Sequence, residues 1–249
     1  MAEKRGQITI FMIIGLVVFI LVLMAYIIAL SREKIEITSE KILPVDVKPI
    51  RAYLEECFEN LGKSALMFVG SQGGYYILPD GFDYNDVQAG FHYYNGIIIP
   101  PISVIEQELS SFVDDFANSC LIDMDGQGFE ITTGQPKTET TIGENEVTFI
   151  VDPDITLSKE GVVHDLEPFY TIVKPTRLTT IYDVSKAITE EIAKDPETIC
   201  ISCLVDLAER YNLKIDINPV GNKNMLFTII DYTIDMEDPY IFNFAVKLK

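Results

Sequence analysis

Positive charge is scarce in this chain. Across 249 residues, Lys and Arg number 19 against 38 Asp and Glu, a formal net charge of −19. Phosphate recognition needs a basic footprint, so nucleic acid is a poor partner. Anionic lipid headgroups would repel the acidic part of the chain. Histidine is scarcer still, with only His92 and His164. A structural zinc site wants four Cys or His at matching spacings, and neither histidine stands in such a pattern. No G-x-S-x-G elbow supplies a serine for His164-Asp165 to activate, so His164 reads as a surface residue. The Gly-rich stretch Gly70-Ser71-Gln72-Gly73-Gly74 follows a helical segment and opens an extended one, the reverse of a phosphate cradle, and no Lys-Ser/Thr pair follows it. It reads as a helix C-cap with one left-handed glycine. Internal repeats and low-complexity tracts are missing as well. The acidity reads as a solvating surface, not a salt adaptation, because the chain is rich in Ile and uses Lys more than Arg.

Charge is missing altogether from Ile8 to Leu30 (ITIFMIIGLVVFILVLMAYIIAL). As a helix this run rises about 34 Å, enough for a hydrocarbon core of about 30 Å. A secretory signal peptide has a shorter apolar region and a small-x-small cut site. Ala29-Leu30-Ser31 matches that site poorly. The run therefore reads as a transmembrane anchor that contacts the lipid bilayer through residues 8–30. Lys4 and Arg5 precede it, while Arg32 and Lys34 follow, interleaved with Glu33 and Glu36. The short basic stub favours a cytoplasmic N-terminus, with the rest of the chain extracytoplasmic.

The stub Lys4-Arg5-Gly6-Gln7-Ile8-Thr9-Ile10-Phe11 resembles the archaeal class III, prepilin-like signal sequence. In that family a basic pair and a Gly precede a Gln, and the apolar segment follows the cut. The resemblance covers about 25 residues. It implies processing between Gly6 and Gln7, an apolar helix kept on the mature protein, and self-association through that helix. Family members commonly carry an acid a few places after the Gln. Here Phe11 holds that place, and no carboxylate follows until Glu33. The other reading is an ordinary single-pass anchor.

Four cysteines, Cys57, Cys120, Cys200 and Cys203, in an exported domain invite disulfides, and four allow three pairings. Cys57 and Cys120 fall in two helical segments flanking a hairpin signal, so Cys57–Cys120 with Cys200–Cys203 is the expected pairing. A redox centre would place C-x-x-C after a strand at the start of a helix. Asp195-Pro196-Glu197 already reads as a helix start, which puts the pair within or just past the first turn. A structural link or buried thiols is the expected reading of that pair, with metal ligation and redox activity as the others. Asp123-Met124-Asp125-Gly126-Gln127-Gly128 resembles the opening of a calcium loop through Asp123, Asp125 and Gln127. Its twelfth place is Gly134 where a Glu is needed, so a turn with solvated acids is expected. No cofactor is expected.

Pattern supplies the rest. Apolar residues at helical spacing predict helices over 49–69, 102–120, 178–194 and 196–212. Tyr75–Pro79 reads as a short strand, and Phe91–Tyr94 with Ile97–Ile99 around Asn95-Gly96 as a hairpin. Alternation at Phe129–Ile131, Glu146–Val151, Asp154–Leu157 and Phe169–Val173, within 129–174, predicts an antiparallel meander with one wet face. Residues 213–220, 225–234 and 240–246 read as closing strands. The expected class is α+β: one N-terminal transmembrane helix, then an exported domain of antiparallel sheet and helices. The expected segments are a cytoplasmic stub (1–7), the span (8–30), a stalk or linker (31–48), a helix-hairpin-helix lobe (49–122), and a meander with two helices and a closing sheet (123–249).

Function follows from placement. The expected reading is a non-enzymatic, membrane-anchored cell-surface protein of structural or interaction type, with other surface proteins as partners and a pilin-like subunit as its sharpest form. The alternative is a tethered ligand-binding or sensing domain, with aromatic residues at Tyr75-Tyr76, Phe91 to Tyr94 and Tyr240 to Phe244 lining a groove. Strands of that composition more often form core.

Overall fold

A computed structural model describes residues 47–79, 88–124, 128–174, 176–233 and 238–249. The stub, the expected span and all but the last two residues of the expected stalk lie outside these. Among the described residues no helix is long and apolar enough to cross a membrane. Pro49–Lys249 forms one compact α+β unit with four helices and largely antiparallel sheets.

Helix α1 (Lys48–Ser71) buries Ile50, Leu54, Phe58, Gly62, Leu66 and Val69 at three- and four-residue steps, with Ala65 beside them, so a single stripe faces the core. Two left-handed glycines stop it, Gly73 at φ +74° and Gly74 at φ +95°. The Gly74 N–H donates to Val69 O at 2.9 Å. Gly70 lies against the sheet backbone: a Cβ there would sit 2.8 Å from Ile241 O and 2.5 Å from the hydroxyl of buried Tyr240. Neither atom can move without opening the core. Gly70→Ala is therefore expected to lose about 2 kcal/mol, overpacking outweighing the helical preference for alanine. Urea unfolding checks this, and an equal or raised midpoint would refute it.

The pattern at residues 75–79 predicts a strand, yet no ladder forms there. The N–H groups of Tyr76 and Ile77 instead donate to Glu108 Oε2, at 2.7 and 3.0 Å. The hairpin at Asn95-Gly96 is reduced to its turn. Asn95 is left-handed (φ 57°), one bridge joins Tyr93 to Ile97, and Pro100-Pro101 ends the return. Strand β1 (Phe91–Tyr93) pairs instead, in parallel, with β10 (Tyr240–Lys247). Helix α2 (Ile102–Phe116) buries Ile105, Leu109, Phe112 and Val113, then tightens into a 3-10 segment at Ala117–Met124, in place of the continuous helix expected to Cys120.

Six strands make the meander: β2 (Glu130–Thr133), β3 (Lys137–Ile142), β4 (Val147–Asp152), β5 (Ile155–Lys159), β6 (Val162–Asp165) and β7 (Phe169–Val173). They pair as two sheets, β2-β5-β6 and β3-β4-β7. The two sheets are halves of one three-stranded ribbon. β2 and β3 run along β5 and β4, and β6 and β7 close the other side. One proline stands at the break in each strand: Pro136, Pro153 and Pro168. Proline has no N–H to give a ladder, so the hydrogen bonding stops on all three strands together. Gly134 N–H to Asp154 O and Leu166 N–H to Ile155 O, at 2.8 and 2.9 Å, stitch the seam. Alternation puts Val147, Phe149, Val151, Phe169 and Val173 inward, under α1, where Gly62 faces the Phe149 ring and Phe58 meets Phe169 edge-on at 5.0 Å.

Helix α3 (Leu178–Lys194) buries Ile181, Val184, Ile188 and Ile192, and packs on β1 and β10. Helix α4 (Ile201–Tyr211) leads into β8 (Lys214–Pro219), β9 (Asn224–Asp231) and β10. The closing sheet runs β1-β10-β9-β8.

Candidate functional site

The cysteines are the reactive groups that the fold brings together. Cys57 on α1 and Cys120 in the 3-10 segment form a disulfide with Cα atoms 5.8 Å apart, and Cys120 is buried. Cys200 and Cys203 form the second, Cα to Cα 5.3 Å. Both pairings are those expected from sequence. The setting of the second is not. In place of a helix from Pro196, the Asp195 side chain closes a turn, its Oδ2 accepting from Thr198 Oγ1 at 2.8 Å while Thr198 N–H donates to Asp195 O. Asp favours such local turns as much as helix caps. The helix starts at Ile201 with Cys200 as its N-cap, and the Cys203 N–H donates to Cys200 Sγ at 3.3 Å.

The aromatic residues are divided. Phe91, Tyr93, Tyr240, Phe242 and Phe244 are buried in the core of the closing sheet, whereas Tyr75 and Tyr76 are half-buried. His92 is fully buried among the aromatics, stacked on Phe244 at 4.6 Å between ring centroids. Its Nε2 lies 3.0 Å from Gly73 O. A carbonyl only accepts, so the proton sits on Nε2 and Nδ1 is bare. Burial lowers the imidazole pKa to about 4, and the Gly73 hydrogen bond only partly opposes this. His164 is half-buried on β6 opposite Leu157.

No protein-family model, curated protein or solved structure matches the chain. The site must therefore be read from its own chemistry. Among the described residues no group of three or more His, Cys, Asp or Glu could hold a metal ion. The calcium candidate falls largely outside them. Asp125 and Gln127, and the side chain of Asp123, lie outside the described residues, as do the processing residues Gly6 and Gln7.

The acidic face of α2 has a structural use. Glu106 Oε1 accepts from the Ile142 N–H at 2.9 Å, Ser110 Oγ donates to Thr140 Oγ1 at 2.8 Å, and Glu108 holds the 76–77 segment. α2 therefore covers an N–H on the edge of β3 that would otherwise be open to another chain. Between the two elements runs a hydroxyl-lined groove of about 560 Å³, bordered by Ser103, Gln107, Ser111 and Thr138. A second polar centre was also hidden from sequence reasoning. Asp231, fully buried, faces Arg177 at 3.1 Å and accepts from Thr233 N–H and Oγ1, while Arg177 also donates to Tyr211 O. This ties the start of α3 to the ends of β9 and α4. An isolated Arg and an isolated Asp 54 positions apart give no pattern in the sequence.

Proposed function

We propose that this is a single-pass, membrane-anchored cell-surface protein of structural or interaction type, processed after Gly6 and assembling through its apolar helix as a pilin-like subunit. The pair of disulfides carries this reading. Every described cysteine is paired, and such bonds persist in oxidising, extracytoplasmic compartments. The uncharged run 8–30 ahead of the disulfide-bonded unit supplies the anchor, and Lys4-Arg5-Gly6-Gln7 supplies the processing signal. A tethered ligand-binding domain is the second reading, supported by the hydroxyl-lined groove between α2 and β3.

Two measurements on protein from native membranes test this. Terminal sequencing is expected to begin at Gln7, and negative-stain images of overexpressing cells are expected to show filaments. An intact Met1 without filaments would remove the pilin-like reading. Protection of residues 49–249 from protease added to intact cells would remove the surface placement.

A further inference from the structure

We infer that the Cys200–Cys203 disulfide is a thiol–disulfide exchange site that takes two electrons from an external dithiol, while Cys57–Cys120 is an inert cross-link. The two bonds differ in their span and in the burial of one partner. Cys57–Cys120 joins residues 63 apart and ends on buried Cys120. Cys200–Cys203 spans three positions, and both of its cysteines are half-exposed. The backbone around it is held without it: Asp195 closes the 195–198 turn, and the Lys249 N–H donates to Pro196 O at 2.9 Å. Opening this bond releases little of the fold.

The cap geometry stabilises the product. A thiolate at Cys200 would lie at the N-terminus of α4, accept from the Cys203 N–H at 3.3 Å and have Ser202 Oγ 3.6 Å away. A helix N-terminus favours negative charge and lowers the pKa of a thiol there. Stabilising the reduced form makes the disulfide more oxidising. Glu191, in the crevice wall under the pair, is ion-paired with Lys194, which offsets its repulsion of the thiolate.

A dithiol serves as the reductant, because its second thiol resolves the mixed disulfide within one molecule. In the exchange, one thiolate of the dithiol attacks Cys203 Sγ and the Cys200–Cys203 bond breaks. Cys200 departs as the cap-stabilised thiolate. The dithiol's second thiolate then attacks the dithiol's own sulfur in the mixed disulfide and displaces Cys203. Two electrons and two protons pass to Cys200 and Cys203, and the dithiol leaves as a disulfide.

The full chain in detergent, titrated with dithiothreitol and mapped by differential alkylation and peptide mass spectrometry, tests this. Cys200–Cys203 is expected to open on the order of 100-fold faster than Cys57–Cys120, with the fold retained. In the reduced protein Cys200 is expected to alkylate about ten-fold faster than Cys203 at pH 7. Concurrent reduction of both bonds, or equal alkylation of the two thiols, overturns the proposal.

Discussion

Replacing Cys57 and Cys120 together by alanine is expected to destabilise the 49–249 unit by about 4 kcal/mol, the chain-entropy value for a loop of this length. The bond closes a loop between residues 63 apart and fixes α1 to the segment after α2. Without it, the unfolded chain regains the freedom to separate these ends, while the folded state loses a buried contact at Cys120. The same relation gives only about 2 kcal/mol for Cys200–Cys203, because a short loop has little freedom to lose. Urea unfolding of the two double-alanine variants in the full chain separates them. The larger fall in midpoint should belong to C57A/C120A. A loss no greater than that of C200A/C203A would show that the long loop contributes nothing beyond packing.

The second large effect is acid sensitivity centred on His92. The ordinary pKa of histidine is about 6.5, and burial brings His92 to about 4. Above about pH 7 neither the folded nor the unfolded state is protonated, and stability does not depend on this group. As pH falls from about 6.5 to 4, the unfolded chain takes up a proton that the folded protein excludes, so stability falls with pH throughout that window. Each ten-fold difference in proton affinity between the two states is worth about 1.4 kcal/mol, so the loss by pH 4 reaches about 3 kcal/mol. Histidine is the side chain whose ordinary pKa falls in this range, and of the two in the chain His92 is the one fully buried. His92→Phe keeps a ring to stack on Phe244 and removes the titration. Its unfolding midpoint should stay flat between pH 7 and 5 while the parent's declines. Parallel curves for the two proteins would refute this origin.

What the sequence revealed followed local periodicity. Ile50, Leu54 and Phe58 announce α1, and Ile181, Val184 and Ile188 announce α3, because a helix buries every third or fourth residue whatever lies opposite. Where partners are distant, pattern fails. Local signals put Phe91–Tyr93 in a hairpin, but its ladder partner is β10, about 150 positions away. No turn chemistry encodes a parallel pairing of that span. Strand β3 (Lys137–Ile142) escapes notice because Thr and Glu dominate it and only Thr138 is buried. The start of α4 is misplaced by sequence because Asp-Pro serves turns and helix caps alike. For the candidate site, the cysteine pairing is legible. The N-cap position of Cys200 depends on where Asp195 spends its side chain, which only the fold decides.

The three aligned prolines have a consequence for how the chain behaves before it is folded. Without them, residues 129–173 could form three strands of a dozen or more residues each, rich in Thr, Val and Ile, the composition that self-associates into cross-β stacks. Proline cuts each strand into pieces of four to six residues. A neighbouring copy laid along an exposed edge would lose its ladder at the seam. Pro136, Pro153 and Pro168 thus act as gatekeepers against aggregation, guarding this β-prone stretch while it is unfolded and crowded.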